Sequence, residues 1–123
     1  MDMLHLARLQ DVPWQAHPTI AGVMTKVFEN KESLLYADAL LAQVAPGGKI
    51  PWHVHDAASE TAYVVQGEGV VLYAPDQDHL QTPLESAIGP GSALTVRAGV
   101  WHSVLNRGTE PLTLFAFHVP PTL

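Results

Sequence analysis

Short apolar segments separated by glycine and proline dominate the chain. Turn-forming residues recur at 46–48, 67–69, 89–91 and 98–99, and the segments between them are short and rich in Val, Leu and Tyr. Frequent turn signals between short apolar runs are typical of β proteins. The pattern therefore predicts an all-β domain.

The clearest predicted strands are Thr61–Gln66 and Val70–Tyr73, which the sequence Gly67-Glu68-Gly69 connects. Glycine can adopt the positive φ that a tight turn requires, so we expect these two strands to form a β-hairpin. Further strands are predicted at Val23–Phe28, Leu34–Val44, Ala93–Val96, His102–Asn106 and Leu112–Val119.

Two segments are less clear. The Leu and Ala content of Leu34–Val44 also suits a helix, and the spacing of its apolar residues does not separate the two alternatives. We predict a strand, because a lone helix would need its own packing face against a small sheet. Residues 74–86 are rich in Asp, Gln, Pro and Thr and are expected to form a surface connection.

Composition narrows the function. Apolar residues make up 47% of the 123 residues, which is enough for one hydrophobic core and hence one domain over 1–123. The net charge is -6 and the six Lys and Arg are scattered, which argues against a nucleic-acid partner. No apolar run approaches the roughly 20 residues of a membrane span, and residues 1–10 do not resemble a signal peptide, so the expected location is cytoplasmic.

The chemistry of the chain must come from nitrogen and oxygen groups, since it contains no cysteine. His53 and His55 would leave the same face of an extended strand, with Cα atoms roughly 6.5 Å apart. Glu60 could add an oxygen ligand and His102 a third imidazole. The HxH pair alone is weak evidence for a metal site, because the chain contains seven histidines.

The spacing around these residues resembles the two motifs of the cupin superfamily. Gly47, His53, His55, Glu60 and Gly67 match the first motif, G-x5-HxH-x3-4-E-x6-G. The second motif, G-x5-P-x-G-x2-H-x3-N, is matched at four positions, which are Gly91, Gly99, His102 and Asn106. The one departure is Arg97, which stands where the second motif has proline and puts in doubt only the rigidity of that turn.

The resemblance implies an antiparallel jelly-roll barrel, also called a double-stranded β-helix, with residues 1–30 as an N-terminal arm and first strand, 47–67 as the first motif and 91–106 as the second. It also implies that His53, His55, Glu60 and His102 bind one divalent transition metal ion. Such a ligand set suits Fe, Mn, Ni, Co, Cu or Zn and does not select among them.

Other residues offer weaker signals. Trp52 and Trp101 each precede a proposed ligand, so strand alternation would direct them out of the barrel, against the N-terminal arm or a second subunit of a homodimer. The alternative is that irregular strand ends let both indoles join the core. His118 is a candidate for proton transfer or substrate contact if it faces inward, and Glu60 for proton transfer if it leaves the metal.

Two further residues are candidate substrate contacts. Gln43 lies in a strand expected near the first motif, and Arg97 could hold an organic anion at the mouth of the barrel.

The leading functional hypothesis is a metalloenzyme of dioxygenase, isomerase or lyase type that acts on a small, oxygen-rich organic molecule coordinated to the metal. The alternative is a non-catalytic module that binds or senses a small molecule, with a structural or ligand-capturing metal.

Overall fold

The computed structural model describes residue 4 and residues 6–29 and 36–122, and side chains within these ranges except that of Glu29. Ten strands occur there, together with short 3₁₀ turns at Leu9–Asp11 and Gln77–His79. The strands are β1 Gln15–Ala16, β2 Val23–Glu29, β3 Asp38–Val44, β4 Lys49–His53, β5 Ser59–Gln66, β6 Gly69–Ala74, β7 Leu84–Ile88, β8 Ala93–Val96, β9 Trp101–Leu105 and β10 Leu112–Val119.

Two antiparallel sheets form the fold. One has six strands in the order β1-β2-β3-β10-β5-β8, and the other has four in the order β4-β9-β6-β7. A cluster of buried aliphatic side chains forms the core, including Val44 and Leu112 at 0% exposure. The prediction of an antiparallel, nearly all-β barrel is confirmed.

The segment Leu34–Val44 is a strand from Asp38 onward, while positions 34 and 35 lie outside the described residues. The strand lies in the middle of the six-stranded sheet, between β2 and β10, and its side chains are buried or half-buried along its whole length. This location explains its nearly continuous apolar sequence.

The predicted hairpin between β5 and β6 is wrong. β5 pairs with β10 and β8, whereas β6 pairs with β7 and β9, so residues 67–69 carry the chain from one sheet to the other. Gly67 has φ +86°, and a Cβ there would collide with the carbonyl of Pro111. The glycine is needed, but for a corner packed against the chain before β10 rather than for a hairpin turn.

The predicted surface connection at 74–86 ends earlier than expected, because Leu84–Ile88 forms β7 at the edge of the smaller sheet. Four of its five side chains are exposed, so the strand lacks the apolar alternation that would have marked it. Within the described part of the chain, no helix has the length and apolar character needed to cross a bilayer.

Candidate metal centre and cavity

Four side chains from both sheets converge at one end of the barrel. His53 ends β4 and is paired directly with His102 on β9, which places two imidazoles side by side. His55 follows in the turn after β4, and Glu60 reaches across from β5 in the larger sheet. A hydrogen bond of 2.9 Å from the Gly99 amide to the His55 carbonyl ties together the segments that carry the two motifs.

The spacing of these groups suits a single ion. The four candidate ligand atoms of His53, His55, Glu60 and His102 all lie within 4.8 Å of one another. Oε1 of Glu60 lies 3.0 Å from Nε2 of His102 and 3.6 Å from Nε2 of His55. Neutral imidazoles and a carboxylate are ligands that divalent transition metals prefer. The sequence-predicted ligands are thus brought together in one group that could hold a metal.

Neighbouring backbone carbonyls orient two of the imidazoles. Nδ1 of His53 donates to the Pro51 carbonyl at 2.7 Å, and Nδ1 of His102 donates to the Val100 carbonyl at 3.0 Å. In the neutral ring the other nitrogen, Nε2, then keeps its lone pair for an ion. Nε2 of His55 is buried and finds no hydrogen-bond partner among the described residues. A buried nitrogen of this kind is explained if a metal occupies the site.

Electrostatics also favour the ligand forms of these groups. Burial and the neighbouring His102 lower the pKa of His53, which favours a neutral ring. Burial by itself would raise the pKa of Glu60, but the neighbouring imidazoles of His102, His118 and His55 outweigh it and hold that pKa far below its ordinary value. Glu60 is therefore an anion, as a metal ligand must be.

The group opens into a cavity of about 800 Å³ between the two sheets. Its walls are mainly apolar, with inward side chains such as Leu40, Ile50, Leu94 and Val104. Residues 15–18 and Ile20, on and after β1, also line it. The N-terminal arm thus pairs with β2 of its own chain and contributes to the cavity wall.

His118 faces inward, a point that the sequence left open. It is 8% exposed, lines the cavity and places Nε2 3.3 Å from Oε2 of Glu60. Its Nδ1 bonds to Oδ1 of Asp38, a fully buried residue whose other oxygen accepts from the Thr122 amide at 2.6 Å. Burial opposes the charged form of His118, but the contacts with Glu60 and Asp38 raise its pKa above the ordinary value.

The other two candidate substrate contacts lie elsewhere. The amide of Gln43 donates to Oγ1 of Thr113 at 3.2 Å, along the sheet, and Gln43 is not among the residues that line the cavity. Arg97 is exposed in the turn before β9 and borders a separate, smaller pocket. That turn closes without proline, since the Val100 amide bonds to the Arg97 carbonyl at 3.2 Å. Neither Gln43 nor Arg97 lines the cavity beside the metal ligands.

Of the two orientations considered for Trp52, the structure shows the inward one, which an irregular strand end allows. Trp52 is half-buried and lines the cavity together with His53, although the two are adjacent in sequence. The pairing of β4 with β9 shifts register between Ile50 and His53, which breaks the strict alternation of side chains. Trp101 is half-buried on β9 and is not a cavity residue.

Asp38, the partner of His118, was not predicted from the sequence. An aspartate within an apolar segment was the available signal, because a buried carboxylate requires a partner. The partner is 80 positions away, so the sequence alone could not identify it.

The family model of the cupin domain matches residues 40–118. The chain belongs to the cupin family. The match includes all four candidate ligands and the cavity-facing His118, so this cupin domain contains the whole of the described metal-ligand group.

Two curated relatives are larger than this cupin. An uncharacterized protein, YrkC, of Bacillus subtilis is 32% identical over 81 residues, which cover 66% of this chain and 42% of the relative. A germin-like protein 5-1 of rice, Oryza sativa subsp. japonica, is 39% identical over 85 residues, which cover 67% of this chain and 35% of the relative. The chain therefore spans less than half the length of these relatives.

A solved structure covers nearly the whole cupin. The crystal structure of a predicted oxalate decarboxylase from Thermotoga maritima superimposes with a TM-score of 0.79 at 21% identity, over 94% of this chain and 98% of the other. Likeness at this level of identity shows the fold alone.

Proposed function

We propose that this cupin is a metal-dependent enzyme that binds one divalent transition metal through His53, His55, Glu60 and His102 and acts on a small organic molecule coordinated through oxygen. The observation that supports this most strongly is that preoriented ligand groups open into a large cavity rather than a sealed core. A sealed site would suit a purely structural metal.

The bound ion would supply Lewis acidity to oxygen atoms of the substrate. The chain contributes orientation, since the Pro51 and Val100 carbonyls hold two of the ligand rings. Mainly apolar walls surround the space beside the ligands. The candidate ions are Fe, Mn, Ni, Co, Cu and Zn, and the candidate reactions are a dioxygenation, an isomerisation and a lyase reaction.

His118 is the residue that favours catalysis over simple capture of a ligand. It lines the cavity beside the ligand group, where Nε2 can hold a proton between Glu60 and a bound molecule. Asp38 fixes the ring through Nδ1. A histidine oriented by a buried carboxylate and facing a ligand site is a common arrangement for proton transfer.

The first experiment measures metal content after purification without a metal-affinity column. We expect one equivalent of metal per chain in the wild type and loss of the metal in His53→Ala. The matched control is His79→Ala, which removes an exposed histidine that bonds to Asp76 outside the site. If His53→Ala retained the metal, the assignment of the ligands would fail.

The second experiment tests turnover. Metal-loaded protein is incubated with catechols, β-diketones and 2-oxo acids, with and without oxygen, and products are followed by mass spectrometry. We expect turnover of at least one class and a large loss of kcat in His118→Gln with metal content unchanged. Binding to the metal without turnover in any class would instead indicate the alternative, a binding or sensing module.

A further inference from the structure

We infer that the natural ligand of the cavity has a large apolar body and a single metal-binding head group that carries at most one negative charge. This inference rests on the proposed metal site and narrows its substrate class. It also revises the expectation of an oxygen-rich molecule, because the composition of the walls does not suit one.

The register of the larger sheet arranges the cavity wall in rows. The row nearest the metal group contains His118 paired with Glu60. The next inward row pairs Ala116 with both Leu40 and Ala62. Because successive inward positions on a strand are two residues apart, each row lies roughly 7 Å further from the ligand group.

A third row continues this surface with Leu114, which pairs with Ala42. Members of both rows, including Leu40 and Ala62, line the cavity. The wall therefore runs from a polar end at the metal ligands into a mainly aliphatic stretch roughly 14 Å deep, in which Thr25, paired with Ala42, carries a hydroxyl group. A ligand bound at the metal would extend along this stretch.

Small side chains on the inner face of the larger sheet leave space for the cavity. Ala42, Ala62 and Ala116 are 7%, 4% and 4% exposed, and all three occupy inward positions of central strands where larger aliphatic residues would fill the core. On the opposite sheet, Ile50 and Val104 are paired and close the space with apolar surface. The cavity thus lies between aliphatic walls on both sides.

The net charge of the site limits the charge that the head group of the ligand can carry. None of the described residues that line the cavity is Lys or Arg. Lys26, although buried, is directed elsewhere: its Nζ donates to the Leu9 carbonyl at 2.7 Å and lies 4.7 Å from the centre of the Trp14 ring. A divalent ion and the Glu60 carboxylate together carry one net positive charge, which one anionic group balances. A proton on His118 is already balanced by the buried carboxylate of Asp38, so a second carboxylate further along the cavity would be buried without a cationic partner among the described residues.

Among the described residues that line the cavity, polar groups far from the ligands are too few for a polyol. Thr25 and His17 are among them, and Nδ1 of His17 already accepts from the amides of Thr19 and Ile20. A sugar acid bound here would leave several hydroxyl groups without partners, which disfavours it strongly.

Alkyl hydroxamates test this inference, since the metal-binding head stays constant while the body grows. Isothermal titration of metal-loaded protein with acetohydroxamate, butanohydroxamate and hexanohydroxamate should show affinity rising about threefold to fourfold per methylene. Adding a terminal carboxylate to the hexano compound should weaken binding by about a hundredfold or more. Affinity that does not depend on chain length, or equal binding of the carboxylated compound, would overturn the inference.

A cavity-filling variant adds a structural control. Ala42→Leu should weaken binding of hexanohydroxamate at least tenfold while leaving acetohydroxamate unchanged, and Ala93→Leu, on the exposed face of β8, should change neither. Equal weakening of both probes by Ala42→Leu would count against the inference, and the wild-type series decides it if that variant does not fold. Binding that does not depend on chain length would overturn this inference alone. If no hydroxamate bound to metal-loaded protein, the proposed function would be overturned as well, so the two failures can be told apart.

Discussion

Asn106, the asparagine of the second motif, provides the sharpest test of how this fold is stabilised. It is 1% exposed, and its Nδ2 donates to the Val44 carbonyl at 3.0 Å and the Glu110 carbonyl at 2.8 Å. Its Oδ1 accepts from the Gly108 amide at 3.0 Å. One side chain thus connects the end of β3 with the turn that precedes β10.

The expected effect of Asn106→Ala follows from these three bonds. The Val44 carbonyl would remain buried without its partner, a loss of about 1–3 kcal/mol, and the two partly buried bonds add about 1 kcal/mol each. We therefore expect the free energy of unfolding to fall by about 3–5 kcal/mol. For a domain of this size that corresponds to a decrease in Tm of roughly 10–20 °C.

Asn106→Asp is a more stringent variant. It conserves the shape but replaces the donor with a carboxylate oxygen that faces two carbonyl oxygens, so it should destabilise at least as much as Asn106→Ala. Arg107→Ala is the control, because this neighbouring side chain is exposed and its loss should change stability by less than about 0.5 kcal/mol.

Urea unfolding, followed by circular dichroism and tryptophan fluorescence, measures these differences. A chelator should be present so that metal binding does not add to the stability. Coincident transitions from the two probes would justify two-state analysis. If Asn106→Ala stayed within about 1 kcal/mol of the wild type, or Asn106→Asp were as stable as it, the reasoning from the three bonds would be refuted.

Three other predictions concern the turn at Gly67, the candidate metal ligand His102 and the N-terminal arm. Gly67→Ala should destabilise far more than Gly91→Ala in the same urea assay: both residues have positive φ, but only the first would bring Cβ into the backbone of a neighbouring segment. His102→Ala should lower metal affinity by more than the 10–100-fold typical of changes outside the ligand shell, as titration with Co²⁺ would show, whereas an unchanged affinity would exclude it as a ligand. Lys26→Met should expose Trp14 and increase its quenching by iodide, and unchanged quenching would mean that the lysine does not hold the arm.

Much of this protein could be predicted from local sequence. β8 and β10 were predicted with the bounds that the structure has, because Ala93–Val96 and Leu112–Val119 combine strong strand propensity with clear turns on either side. The ligand group was predicted from the resemblance to the two cupin motifs. His53 and His55 are close in the chain, and the motif positions mark Glu60 and His102, which are 42 positions apart. Local propensity was sufficient for the two strands, whereas the ligand group needed the motifs.

Strand partners and side-chain directions were decided by tertiary structure. The two strands around Gly67 are neighbours in sequence but lie in different sheets, because burial of both inner faces outweighs pairing of the nearest strands. Trp52 lines the cavity because a register shift between Ile50 and His53 breaks the alternation of β4. His118 faces inward because the register of β10 places it opposite Glu60 on β5, on the same face as the cavity-lining Ala116.

The sequence by itself indicated which residues could bind a metal, since ligand types and the spacing within each of the two motifs can be read along the chain. Only the tertiary structure decided what surrounds them. The pairing of Asp38 with His118 and the aliphatic cavity behind Glu60 arise where strands distant in sequence meet. Such contacts depend on how all the strands pack together. The metal ligands could therefore be predicted from the motifs, whereas the inferred class of the cavity ligand depends on the side chains that the folded chain places in the cavity wall.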